Sequence, residues 1–309
     1  MNGHRGIVPS PVFIAARSYA KVNLCLAVAG PEPEGAARAG WHRIASWFHA
    51  VDLFDDVYVE RAVDGKSMFE RSFAADAPKA CVIDWPLEKD LCFRAVGVLE
   101  EYCRERLAVK VRVKKRIPSG GGLGGGSSNA ATVLRTLNSL FGLEIEDEVL
   151  KMLSQKLGSD VPFFMDGALD GPPRPAIVRG FGERVERVKA VRGEVTLVFA
   201  EFGCATPAVY QMFDAMERPE RGLHEPEVAA AAARAIARGR IEESELFNDL
   251  RAAAMAVEPR LGAMIARIEN GGAKAMLSGS GSTLFVVGEH GRLSAEIGEG
   301  AVVYRTRLV

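Results

Sequence analysis

Between residues 118 and 134 the chain reads Pro118-Ser119-Gly120-Gly121-Gly122-Leu123-Gly124-Gly125-Gly126-Ser127-Ser128-Asn129-Ala130-Ala131-Thr132-Val133-Leu134, with six glycines in the seven positions from 120 to 126. Glycine loses more backbone entropy on folding than any other residue, so such density marks a place where something must approach the backbone closely. A loop of bare N–H groups can bind an anion, and phosphate is the favoured guest.

The flanks predict how that loop is held. Before it, Leu107, Val109, Val111 and Val113 alternate with Ala108, Lys110, Arg112 and Lys114, the period of a half-buried strand. After it, Ala130, Val133, Leu134, Leu137, Leu140 and Phe141 recur at helical spacing, with serines at the N-cap and Gly142 as the stop. Strand, glycine loop and helix N-terminus in that order aim free N–H groups and the positive end of a helix dipole at one spot. A P-loop is excluded, because Ser127 and Ser128 stand where Gly-Lys would have to be, and Gly65-Lys66-Ser67 has Glu60 in place of the first glycine. Gly120, Gly122 and Gly125 satisfy GxGxxG only as any run this rich in glycine would. The acids at the distance a dinucleotide site needs, Glu144, Glu146 and Asp147, introduce another helical pattern instead of closing a strand.

The string PxxxGLGGGSSNAA resembles the phosphate loop of the GHMP kinases, the small-molecule kinases named for galactose, homoserine, mevalonate and phosphomevalonate. More narrowly, GGGLGGGSSNAATVL is similar to the form in members that phosphorylate a cytidine diphospho-methylerythritol. That resemblance implies ATP as donor, Mg²⁺ as its counter-ion, and a phosphate site made of Pro118, Gly120, Gly121, Gly122, Leu123, Gly124, Gly125, Gly126, Ser127, Ser128 and Asn129. Ser128 is the one candidate contact for the metal.

Further motifs extend the likeness from residue 18 to residue 287. Val22, Leu24, Leu26 and Val28 alternate with Asn23, Cys25 and Ala27, a strand that sets Lys21 and Asn23 two apart on its polar face. Ser18 to Leu24 resembles the family's AKxNL, which implies that Lys21 lies beside the reacting hydroxyl and that Asn23 meets the substrate. Gly158-Ser159-Asp160-Val161-Pro162-Phe163-Phe164 reads by itself as a helix end followed by an N-cap aspartate. It resembles GxDVPFF, which gives Asp160 a second role as catalytic base, with Lys21 keeping it ionised. Gly40-Trp41-His42 resembles the family's DGYH, with Ala39 in place of the aspartate, and follows a polar loop at 31–40 that is longer than usual. The likeness implies that Trp41 stacks on the base, that the main chain of His42 reads its edge, and that Thr206 and Tyr210 complete the site, Tyr210 forming a sandwich with Trp41. Leu277 to Ser282 resembles the third family motif, a glycine turn closing over the substrate through Gly279, Ser280 and Gly281. Asp90 stands where the family usually has a helix-opening asparagine, and both residues cap well. Asn248-Asp249-Leu250 reads as packing and a cap.

These features predict an α+β, two-domain GHMP kinase fold: an N-terminal domain of the ribosomal protein S5 domain 2-like type over 1–167, and a ferredoxin-like C-terminal domain over 168–309. The boundary is placed at the Pro- and Gly-rich stretch 167–175. In the second domain strands are expected at 195–199, 273–277, 284–287 and 302–306, with helices at 226–237 and 259–268. Residues 1–14 read as a frayed extension. The 309 residues carry 39 basic and 40 acidic side chains, a net charge of −1, which gives no reason to expect nucleic acid or an anionic membrane as partner. The odd, scattered set Cys25, Cys81, Cys92, Cys103 and Cys204 predicts reduced thiols in a cytoplasmic protein without a zinc site. Monomer or weak homodimer is the expected state. Two other readings stay open: a GHMP kinase for another small alcohol of homoserine or mevalonate type, and a nucleotide-binding regulator without turnover.

Overall fold

The structure, a computed structural model, describes residues 13–216, 225–288, 290, 293 and 300–309. Of the expected N-terminal extension, residues 1–12 lie outside the described residues, and Phe13 and Ile14 already pair in a strand.

Two long strands, β1 (Phe13–Pro31) and β2 (His42–Arg61), pair antiparallel along almost their whole length. On the other edge of β2 lie β4 (Val109–Lys115), the strand leading into the glycine loop, and beyond it β3 (Met68–Phe73), parallel to β4. A stretch containing helix α1 (Leu91–Cys103) carries the chain from β3 across to β4. Together with α1, helices α2 (Gly125–Phe141) and α3 (Asp147–Ser154) bury Leu99, Leu134, Leu137 and Leu150 on one face of this sheet.

A second sheet, of β7 (Glu194–Ala200), β9 (Met276–Leu277), β10 (Leu284–Val287) and β11 (Ala301–Arg307), runs in the order β11-β7-β10-β9 with every neighbour antiparallel. Renumbered within the unit, that order is 4-1-3-2, the ferredoxin-like arrangement. Leu197, Phe199 and Phe285 of this sheet, with Val228, Ala231 and Ala235 of helix α6 (Glu225–Arg238), close over the other face of β1. Helices α5 (Thr206–Ala215), α7 (Arg251–Val257) and α8 (Pro259–Asn270) cover the far side of the second sheet.

Three expectations change. The polar face expected of the strand around Lys21 does not exist, because β1 is covered on both sides and every residue from Ser18 to Val28 is buried. The division expected at 167/168 falls later in terms of sheet membership. Strands β5 (Ala176–Gly180) and β6 (Arg184–Arg187) join the first sheet through β2, and β8 (Phe247–Asn248) returns to pair with β1. The strand expected over 273–277 shortens to Met276–Leu277. Among the described residues no helix is long and apolar enough to cross a membrane, and all five cysteines are free thiols.

His49 is fully buried on β2, its Nδ1 3.0 Å from the carbonyl of Ala50, and burial pushes its pKa down to about 4. The unfolded chain takes that proton near the ordinary value of about 6.5, whereas the folded chain refuses it until about pH 4, so stability falls as pH drops through this window. Between pH 7.5 and 5.0 the wild type should lose about 2 kcal/mol more than His49→Gln in urea titrations, at roughly 1.4 kcal/mol per pH unit. Equal losses would show that the imidazole is not held neutral.

Candidate active site

The glycine loop lies between the two sheets. Gly120, Gly122 and Gly124 have φ of 73°, 78° and 71°, a region closed to most side chains. Close contact adds a second reason for glycine: a Cβ at Gly122 would sit 2.0 Å from the carbonyl oxygen of Ser278, and one at Gly121 2.4 Å from Oγ1 of Thr283. Backbone and side chain both stitch these segments together, Thr283 N–H to Gly121 O (3.3 Å) and Ser278 Oγ to Gly122 O (3.0 Å). The expected serine cap is corrected by one turn. Gly124 is the N-cap of α2, and Ser127 and Ser128 lie in its first turn. With Ser128 N–H bonded to Gly124 O at 2.8 Å, the N–H groups of Gly125, Gly126 and Ser127 lack helical acceptors and are open to an anion.

Beneath the loop sits Asp55, fully buried within β2 beside the end of β4. Its carboxylate accepts from Lys115 Nζ (2.6 Å), Arg116 N–H (2.6 Å), Ile117 N–H (2.8 Å) and Asn129 Nδ2 (3.0 Å). One side chain thus fixes both the residues entering the loop and the first turn leaving it. Beside it opens a cavity of about 370 Å³, walled by the loop and by Arg71, Trp85, Lys89, Asp90, Leu91, Cys92 and Val113. Asp90 Oδ1 caps α1 through Cys92 N–H (2.8 Å), and Asp90 Oδ2 accepts from Arg71 Nη1 (3.1 Å) and Trp85 Nε1 (3.2 Å). The loop's Ser119 Oγ and the Oδ1 of Asn129 are buried with no hydrogen-bond partner among the described residues, as suits groups that meet a ligand.

On the other side of the loop, Lys21 donates its backbone N–H to Leu123 O (2.9 Å). Its Nζ donates to Asn23 Oδ1 (2.7 Å), lies 4.6 Å from the centroid of the Phe48 ring, and stands 3.4 Å from Asp160 Oδ2. Asn23 is held in turn through Ser46 Oγ (2.9 Å). Asp160 occupies the N-cap position of the short helix α4 (Val161–Phe164), yet its side chain makes no cap hydrogen bond. Its carboxylate, 30% exposed, is left to Lys21 and to whatever enters beside them. The helix expected to end at Gly158 ends at Ser154, with a turn between.

The remaining candidates form a second wall. Thr206 Oγ1 and Ser280 Oγ are 2.7 Å apart. Asn248 Nδ2 donates to Leu277 O (2.7 Å) and Gly279 O (2.9 Å), so the Asn-Asp-Leu segment holds the glycine turn, while the cap expected of it is not made: Leu250 is the N-cap of α7, without a side-chain cap hydrogen bond. Burial and the neighbouring charge of Asp160 push the Tyr210 phenol up to about 12. The Tyr210 ring packs against His42 at 4.8 Å, and His42 Nε2 lies 2.9 Å from Asp214 Oδ1. Trp41, 54% exposed, has its ring against Phe181 (6.2 Å), so the structure does not set Trp41 and Tyr210 ring to ring. Sequence reading missed Asp55, Arg71, Trp85 and Phe181. None stands in a spaced motif, and only the lone Trp85 beside Pro86 in an aperiodic stretch could have drawn notice.

Comparison with known proteins is consistent with this arrangement. The model of the GHMP kinases N terminal domain matches residues 90–168. A 4-diphosphocytidyl-2-C-methyl-D-erythritol kinase of Mycobacterium tuberculosis is 32% identical over 304 residues, covering 95% of this chain and 88% of the relative. A crystal structure of a 4-(cytidine 5′-diphospho)-2C-methyl-D-erythritol kinase is 28% identical, with a TM-score of 0.71 over 96% of this chain and 99% of that one. The homoserine kinase from Cytophaga hutchinsonii, at 15% identity and a TM-score of 0.60 over 96% and 95%, shares the fold.

Asp55→Ala removes the acceptor of four bonds and leaves Lys115 buried without its counter-charge. Breaking such a pair from one side costs about 3–5 kcal/mol. Urea unfolding should show that loss; a change below about 1 kcal/mol would mean that the loop is anchored elsewhere.

Proposed function

The chain belongs to the 4-diphosphocytidyl-2-C-methyl-D-erythritol kinase family of the GHMP kinases, and from that premise we propose the reaction and the part each residue plays. The reaction transfers the γ-phosphoryl of ATP to the 2-hydroxyl of 4-diphosphocytidyl-2-C-methyl-D-erythritol, an intermediate of the methylerythritol phosphate route. The carrying observation is the Lys21–Asp160 pair, 3.4 Å apart, with the backbone of Lys21 bonded to the glycine loop. That bond holds a carboxylate and an ammonium next to the glycine loop, which supports a reading in which the loop takes the polyphosphate.

Phosphoryl transfer asks the protein for position and charge more than for covalent chemistry. The N–H groups of Gly125, Gly126 and Ser127 hold the phosphates, with the base in the cavity beside Trp85 and Leu91. Asp160 accepts the proton of the substrate hydroxyl as its oxygen bonds to the γ-phosphorus and the bond to the bridging oxygen of ADP breaks. Lys21, fixed by Asn23 and 3.4 Å from Asp160, orients that hydroxyl. Thr206, Ser280 and Tyr210 form the inner wall for the substrate, and the exposed face of Trp41 takes the cytosine.

The residues present do not form a cage for Mg²⁺. Among the described residues no three carboxylates, histidines or cysteines converge, and Ser128 Oγ is 2% exposed and turned to Ser18 Oγ at 3.3 Å. A divalent ion would therefore ride on the phosphate oxygens of the nucleotide, which is its usual habit in such enzymes.

The test is ADP release from Mg·ATP with the cytidine diphospho-methylerythritol, mevalonate or homoserine. Turnover should appear with the cytidine compound alone and fall about 10²- to 10⁴-fold in Asp160→Asn and Lys21→Ala. Undiminished turnover in both variants would remove them from the chemistry, and turnover with another alcohol would reassign the substrate. Trp85→Ala should raise KM for ATP about ten- to hundredfold with kcat kept, as loss of a base-stacking ring does.

A further inference from the structure

Resting on the reading just given, we propose that Arg38 and Arg94 hold the diphosphate of the substrate and so set its specificity for a nucleoside diphosphate-linked alcohol. They line a second cavity of about 360 Å³, with Trp41 and Phe181 as its aromatic wall and Gly158 and Ser159 in its lining. Glycine at 182 ties this cavity to the chemistry. With φ of 103°, its missing Cβ would lie 2.0 Å from the carbonyl oxygen of Ser159, so the turn carrying Phe181 is seated on the residue before Asp160.

The cavity is electropositive by construction. Most arginines near the site meet an acid, as Arg43 meets Glu32 (2.7 Å), Arg71 meets Asp90 (3.1 Å) and Arg116 meets Asp56 (2.8 Å). Arg38 and Arg94 meet no carboxylate among the described residues. Both are nonetheless held in place. The Arg38 guanidinium lies 4.5 Å from the Phe181 ring centroid and 5.6 Å from that of Trp41, and Arg94 Nη2 donates to Lys156 O at 3.1 Å. Glu183, the acid on the wall, is already used by Phe181 N–H (2.6 Å) and by Arg184 (3.7 Å). Two pre-positioned guanidinium forks without acid partners, beside a half-open indole, match a planar base joined to a diphosphate. Arg38 belongs to the long 31–40 loop and precedes Ala39, which stands where the family motif has an aspartate, so its neighbour brings no acid to compete with phosphate.

Arg38→Ala should raise KM for the cytidine diphospho-methylerythritol about tenfold while kcat and KM for ATP stay within twofold, and Arg38→Lys should recover part of the loss. Titration calorimetry without ATP separates the groups recognised. Cytidine 5′-diphosphate should bind the variant about tenfold more weakly than the wild type, and cytidine should bind both alike. An unchanged KM, or equal losses for the two probes, would overturn the proposal. If the wild type does not phosphorylate the cytidine compound, the proposed function fails, while the two titrations still decide whether Arg38 reads a diphosphate. Arg94→Ala is judged by the same pair of titrations together with its melting temperature. Loss of diphosphate binding at an unchanged melting temperature supports its share, and unchanged binding removes Arg94 from the site.

Discussion

The phosphate loop depends on one buried charge. Asp55 brings a full negative charge into a place with no exposure at all, which is tolerable because four donors converge on it, one of them the ammonium of Lys115. Two of those donors are backbone N–H groups of Arg116 and Ile117, and another is the amide of Asn129. A loop with so many glycines has wide freedom in the unfolded chain, and a hydrophobic anchor alone would fix its depth but not its direction. Four convergent hydrogen bonds fix both. The free N–H groups of α2 can then sit ready for phosphate before any ligand arrives.

The same loop is where the two sheets touch, and its glycines serve that contact as much as the ligand. Gly121 and Gly122 leave room for Thr283 and Ser278 of the second sheet, and Gly124 lets the stem of Lys21 and the ring of Phe164 pass within 3.0–3.2 Å of where a Cβ would be. The glycine loop, the Lys21–Asp160 pair and the 277–282 turn are therefore not three modules that happen to be adjacent. Each is a surface of one loop, and Asn248, reaching from beside β1 to the 277–279 turn, locks the third surface onto the first sheet.

What the sequence made legible follows from where the information is local. The period-two run ending at Lys114, the helical run ending at Gly142 and the capping aspartate at 90 are decided by neighbours within a few residues, and the structure keeps them. The glycine string spoke for phosphate because its cost admits few other uses. Asp55 and Arg71 stayed hidden because their roles arise from pairs 74 and 19 residues apart, Asp55 with Asn129 and Arg71 with Asp90, and Phe181 because its partner Trp41 is farther still, which no spacing encodes. The polar face assigned to β1 failed for a related reason. Alternation reports one covered face, and a strand buried on both sides by a second body keeps its polar residues only where they are paired, as Lys21, Asn23 and Ser46 are.

Asp160 shows how a residue with an ordinary local meaning can be left open to the chemistry proposed for it. Its position, ahead of Val161-Pro162, is one where aspartate normally caps a helix. Here its backbone is helical, at φ −86° and ψ −16°, instead of extended, which turns the carboxylate away from the N–H groups it would otherwise satisfy. The helix it precedes has only four residues and Pro162 in its first turn, so few donors are left wanting a cap. Little helix stability is given up, and the carboxylate stands partly exposed, 3.4 Å from a lysine that is itself held by Asn23 and bonded through its backbone to the phosphate loop. In the role of base proposed for it, Asp160 has to be reachable and fixed relative to the phosphorus, and both come from contacts made before either substrate binds.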